Sequence, residues 1–101
     1  MDHQVIWLRG ALDDLDDIAA YIAKDSPAAA SKVVEKIRDA SRDLAMFPLM
    51  GPRVREWDDD NYRQRIIYSY RLIYRVSTNR ITILAVWHGA RLLPNFLRRR
   101  N

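Results

Sequence analysis

Apolar and polar positions along the chain change their period twice. From His3 to Leu8 a short run is rich in Val, Ile and Trp, and at a period of two His3, Val5 and Trp7 fall on one side and Gln4, Ile6 and Leu8 on the other. That pattern predicts a strand with at least one buried face. From about Arg9 to Lys24 the steps lengthen to three and four. Leu12, Leu15, Ile18, Ala19 and Ile22 recur on one side and Asp13, Asp14, Asp16 and Asp17 fall mostly opposite, so an amphipathic helix is predicted, its acids near the positive N-terminal end of the macrodipole. Ser26 followed by Pro27 reads as the start of a second helix, a capping oxygen before a residue suited to the first helical position. Its stripe of Ala30, Val33, Val34, Ile37, Ala40 and Leu44 runs to about Ala45, opposite Lys32, Glu35, Arg38, Asp39 and Arg42. Only Asp25 and Ser26 separate the two helices, which predicts an antiparallel hairpin.

Phe47 to Asn61 contains Pro48, Gly51, Pro52 and the run Asp58, Asp59, Asp60, a connection rich in helix breakers. Beyond it the period returns to two. Tyr62 to Tyr68 is one predicted strand. Tyr70, Leu72, Tyr74 and Val76 alternate with Arg71, Ile73 and Arg75 in a second, and Ile81, Ile83, Ala85 and Trp87 alternate with Thr82, Leu84 and Val86 in a third. Ser77, Thr78 and Asn79 form the polar turn between the last two, so these strands read as an antiparallel meander. The tail from His88 to Asn101, with Gly89 and Pro94, is a short helix or a loose arm.

The predicted fold class is α+β. An N-terminal strand, an antiparallel helical hairpin, a three-stranded antiparallel meander and a short C-terminal tail make a single domain over residues 1–101, with the hairpin covering one face of an antiparallel-rich sheet. The other sheet face is expected to stay open and to carry the alternate arginines.

Charge sharpens this picture. The net charge is +4 over 101 residues, with 49% hydrophobic and 30% charged residues, a globular composition. Residues 1–50 hold six Lys and Arg against nine Asp and Glu, a net −3, and residues 51–101 hold eleven Arg against four acids, a net +7. After Asp60 there are nine Arg, no Lys and no acid, which points to an anionic partner for the C-terminal part. Cysteine is absent and the histidines are His3 and His88 alone, so no metal site is expected; with only three glycines there is no phosphate-binding loop, and no cofactor is expected. The N-terminus has no signal-peptide pattern and no stretch has the length of a membrane span. A cytoplasmic chain with no membrane partner is the expectation.

The arginines are the first candidate chemistry. Arg63 and Arg65 share one strand face, as do Arg71 and Arg75, and antiparallel pairing of the two strands is expected to bring all four guanidinium groups onto one surface. The Arg fork suits bidentate contact with phosphate or carboxylate. The plainer reading is a solvated polar face whose stems cover apolar surface. His88, followed by Gly89, Ala90 and Arg91, is the candidate titrating group, against the commoner structural role of a His at a strand end. Tyr62, Tyr68, Tyr70 and Tyr74 can stack on bases or simply pack. The acids from Asp13 to Asp17 lack calcium-loop spacing and read as a solvated face.

The stretches RQRIIYSYRLIYRV and ITILAVWHGAR, preceded by the SPAAA helix start and FPLMGPRV, resemble the RelE/ParE superfamily of type II toxin–antitoxin toxins over nearly the whole chain. The DDLDDIAAYIAKDSPAAA helices, the FPLMGPRVRE connection and the HGAR ending look closer to ParE. The resemblance implies the RelE/ParE-like toxin fold and a cognate acidic antitoxin whose disordered segment folds over the toxin, its acids meeting Arg63, Arg65, Arg71 and Arg75. Operator DNA would then be met only through the antitoxin. ParE-like members poison DNA gyrase without a nuclease centre, and for that target His88, Arg91, Arg98, Arg99 and Arg100 are candidate contacts. The alternative is a RelE-like, ribosome-dependent endoribonuclease acting on mRNA, with Arg65, Arg71, His88 and Arg91 in catalytic positions. In that reading Gly89 stands where such members often carry an aromatic or another acid–base residue. A third reading is a non-toxic nucleic-acid-binding module.

Overall fold

In the computed structural model, which describes residues 2–101, the elements follow the predicted order. They are β1 (Gln4–Trp7), α1 (Arg9–Ala23), α2 (Pro27–Asp43), β2 (Tyr62–Ile67), β3 (Tyr70–Val76), β4 (Arg80–His88) and a 3-10 helix at Asn95–Arg99. Ser26 caps α2 as its sequence suggests, its hydroxyl accepting from the Ala29 N–H at 3.1 Å with Pro27 at the first helical position. The first turn of α1 contains no acid. Asp13, Asp14, Asp16 and Asp17 begin one turn later, beyond the reach of the helix-end charge.

The sheet runs β1-β4-β3-β2. β2, β3 and β4 form the antiparallel meander, and β1 lies parallel to β4, with Gln4 opposite Arg80 and Trp7 opposite Ile83. A bulge interrupts the β3–β4 register at Ile73/Tyr74, where Ala85 and Ile83 are the successive partners and Leu84 is the extra residue. The phase of β4 therefore shifts. Ile81, Ile83 and Val86 pack towards the helices, whereas Leu84, Ala85 and Trp87 pack on the opposite face. The simple alternation of Ile81, Ile83, Ala85 and Trp87 on one side does not hold.

Each sheet face has its own core. Against the hairpin, Ala11, Leu15, Ile37, Ala40 and Leu44 bury Leu72, Tyr74, Ile81, Ile83 and Val86. The opposite face is not open. There Val54 and Trp57 from the connection and Leu93 and Leu97 from the tail cover Ile73, Leu84 and Ala85. The tail is thus a docked element, because Leu97 is fully buried and Leu93 nearly so.

Candidate functional site

The β2–β3 register separates the arginines that were expected to converge. Tyr68 and Ser69 form a two-residue loop, so odd-numbered β2 residues lie opposite even-numbered β3 residues: Arg63 faces Tyr74 and Arg65 faces Leu72, while Arg71 faces Ile66 and Arg75 faces Tyr62. Arg63 and Arg65 belong to the helix side of the sheet, Arg71 and Arg75 to the other. The four guanidinium groups make two pairs on opposite faces.

Folding also supplies the carboxylates that the sequence lacks after Asp60. Arg71 is 4% exposed. Its two terminal nitrogens donate to the two oxygens of Glu56, each at 2.8 Å, and its Nε donates to Gln64 Oε1 at 2.8 Å. Glu56 accepts as well from the Leu93 backbone N–H at 3.1 Å, so one carboxylate ties β3, the connection and the tail together. The Arg71 hydrogen bonds hold the Glu56 carboxyl down at about 2, against burial, which acts in the other direction. Arg65 donates to the Ala40 carbonyl at 3.1 Å and to Asp43 at 3.3 Å. Arg63 donates to the carbonyls of Gly51 and Asp60, each at 3.0 Å. Arg75 is half-buried and joins none of the ion pairs among the described residues.

Tyr74 packs in the core and its hydroxyl accepts from the Gly51 N–H at 3.1 Å; burial pushes the phenol pKa up. Gly51 is required there, since a Cβ would collide with the Gln64 carbonyl. Tyr62 stacks edge-on against Trp57 at 5.3 Å between centroids, which makes it a packing residue.

His88 stands exposed at the end of β4. Its Nδ1 accepts from the Ala90 N–H at 3.3 Å and its ring meets the Tyr70 ring edge-on at 6.0 Å. With Arg91, Tyr21, Asp14 and Asp17 it lines an open cleft of about 500 Å³ between α1 and β4. Asp14 is already engaged in this cleft, accepting from the Val86 N–H at 3.1 Å and from Arg100 at 2.8 Å. The terminal arginines divide in the same way. Arg100 also donates to the Leu84 carbonyl at 2.9 Å, and Arg98 stacks over Tyr62 and Trp57 and approaches Asp59 at 3.7 Å, so both fasten the tail. Arg91 and Arg99 remain exposed.

Glu56, Gln64 and Asp14 escape a reading based on periodicity. Glu56 lies in the irregular connection, and Asp14 belongs to an acidic run that looks uniformly solvated. Among the described residues no group of three His, Cys, Asp or Glu side chains gathers as a metal site, and no helix is long and apolar enough to cross a membrane.

Comparison with known proteins decides the family. The family described as "ParE toxin of type II toxin-antitoxin system, parDE" matches residues 5–93. The chain belongs to this ParE toxin family. It is 35% identical over 96 residues to "Putative toxin Y4kP" of Sinorhizobium fredii, covering 93% of this chain and 96% of that protein. It is 31% identical over 90 residues to "Toxin RelE2" of Caulobacter vibrioides, covering 88% and 98%. Among solved structures, a chain of the chromosomal ParDE TA system from P. aeruginosa superposes with a TM-score of 0.70 at 25% identity, covering 85% of this chain and 95% of that one. A chain of the toxin-antitoxin complex RelBE2 from Mycobacterium tuberculosis does so with a TM-score of 0.57 at 27% identity, covering 87% and 99%. The α+β architecture of this ParE-family chain is therefore that of the RelE/ParE toxins.

Proposed function

We propose that the chain is a gyrase-directed toxin, neutralised by a cognate antitoxin and acting in the cytoplasm, where gyrase and its DNA are. The observation that carries this reading is the state of Arg71. Cleaving RNA through its 2′-hydroxyl needs free cations to stabilise the developing charge on phosphorus and a base and an acid to move protons. Arg71, the most buried candidate cation, is neutralised by a bidentate carboxylate, and Arg65 is spent on Asp43 and a helix-end carbonyl. Among the described residues His88 has no second titrating side chain bonded to it, its Nδ1 being occupied by a backbone N–H. A poison that works by contact needs no such set. The better superposition on the ParDE structure supports the same reading.

An antitoxin with an acidic, amphipathic segment would find Arg63 and Arg75, which have no carboxylate partner among the described residues, on opposite faces of the sheet. The test is to express the toxin alone and follow gyrase supercoiling with DNA cleavage beside mRNA integrity on translating ribosomes. Inhibited supercoiling with intact mRNA is the expected result, and codon-linked mRNA cuts with normal supercoiling overturn it. His88→Ala should weaken inhibition by no more than about tenfold, as loss of a single contact side chain would, whereas loss of a general acid or base costs about 10²- to 10⁴-fold.

A further inference from the structure

Tyr68 is the one non-glycine residue with a left-handed backbone among the described residues, at φ 54°. It is the first residue of the two-residue loop between the paired Ile67 and Tyr70, a position that ordinarily selects glycine when its φ is positive. A bulky side chain held there strains the backbone. Such strain persists where packing repays it, yet the Tyr68 residue is 62% exposed. The fold gains little from an aromatic ring at this tip.

The surroundings of the tip share that character. The Gly89 N–H donates to the Ser69 carbonyl at 2.8 Å, tying the hairpin loop to the segment after β4. Ile66, opposite Arg71 in the β2–β3 ladder, is 60% exposed, and Leu92 is 83% exposed. Arg71 and Leu92 line a hollow of about 370 Å³ together with Arg55 and Arg91. Arg55 and Arg91 are exposed and join none of the ion pairs among the described residues. One end of the sheet thus gathers three exposed large apolar side chains and two cations without carboxylates. Tyrosine and arginine are enriched at the centres of protein interfaces. Exposed Ile and Leu offer nothing to a phosphate backbone, so this composition fits a protein better than a nucleic acid.

We propose that this end, with Tyr68 at its tip, is the surface that grips the target protein, and that the target presents an apolar pocket for the Tyr68 ring rimmed by carboxylates for Arg55 and Arg91. The identity of that protein rests on the gyrase reading; the location of the surface does not. The strain at Tyr68 gives the proposal a signature that a structural role would lack, because glycine at this position relieves the backbone while deleting the contact.

The test compares Tyr68→Gly, Tyr68→Phe and Leu92→Ser with the unaltered toxin in gyrase supercoiling, growth arrest and antitoxin binding. Tyr68→Gly should melt no earlier than the unaltered chain. Its half-inhibitory concentration should rise about tenfold or more, as for loss of an interface anchor. Leu92→Ser should weaken inhibition in the same direction without loss of stability, and Tyr68→Phe, which keeps the ring, should retain most of the potency. Full potency in Tyr68→Gly overturns the proposal. So does a loss of antitoxin affinity with toxicity intact, which would make the antitoxin the occupant of this end. If the unaltered toxin arrests growth yet leaves supercoiling untouched, the gyrase reading falls, and growth arrest lost in Tyr68→Gly still places the target on this surface.

Discussion

The two faces of the sheet are closed by different means. Towards the hairpin, the cover consists of regular helices whose apolar stripes interdigitate with Leu72, Ile81, Ile83 and Val86. Even the indole N–H of Trp7 finds a partner there, the Ser41 hydroxyl at 3.3 Å. The opposite face is closed by irregular chain, the connection after α2 and the C-terminal tail, fastened by the Glu56–Arg71 pair. On that side the indole N–H groups of Trp57 and Trp87 have no partner among the described residues, a cost of about 1–3 kcal/mol for each such buried group. Where regular elements meet, apolar area suffices. Where loops must cover a sheet, their backbone and charge need specific bonds, and stability becomes dependent on protonation.

The sharpest way to break this contrast is to damage each cover separately. Ile37 is fully buried in the middle of α2. Ile37→Ala should cost about 4 kcal/mol through lost transfer energy and the cavity left behind, read from urea unfolding. That loss should be nearly the same at pH 7 and pH 3, because no ionisable group takes part.

Glu56→Ala attacks the other cover. It leaves the Arg71 charge buried without its carboxylate and removes the acceptor for the Leu93 N–H, at a cost of about 3 kcal/mol at pH 7. This loss should depend on pH. The Glu56 carboxyl is held at about 2 in the folded chain against an ordinary value of 4.5, so its stabilisation is complete above pH 4.5 and disappears as pH falls towards 2. The stability gap between the unaltered chain and Glu56→Ala should therefore narrow over that window. A gap that stays constant with pH would mean that the pair holds the face by packing alone.

The same contrast explains what could be read from the chain. The helices, the three strands of the meander and the Ser26 cap were legible because period and capping chemistry are local. The assignment of faces was not. A two-residue loop reverses the parity between Arg63 and Arg71, and the bulge at Leu84 shifts the phase of β4, and each is a single-residue event that alternation does not record. The parallel docking of β1 on β4 is a contact between distant parts of the chain. The candidate site suffered most. Its arginines are visible as composition, but their partners Glu56, Asp43 and Asp14 lie 15, 22 and 86 residues away from them, and only tertiary structure selects those acids from their neighbours.

The smallest effect falls where the two covers meet. β1 pairs with β4 only as far as Ile83, so the outer edge of β4 beyond that point presents the Leu84 carbonyl and the Val86 N–H. Bare strand edges invite pairing with other chains. Here Asp14 from α1 accepts from Val86 and Arg100 from the tail donates to Leu84, and the two side chains bond each other at 2.8 Å. An ion pair with both partners partly buried closes the edge from the two sides at once. Asp14→Asn keeps an oxygen for the Val86 N–H and removes the charge, so it should cost about 1 kcal/mol. Combined with Arg100→Met in a double-mutant cycle, it should reveal a coupling of similar size. Asp14→Ala removes the acceptor too, and should speed hydrogen exchange of the Val86 amide by about tenfold while leaving Ile81, deep in the sheet, unchanged. Equal acceleration at both amides would show that Asp14 supports the whole hairpin face rather than guarding the edge.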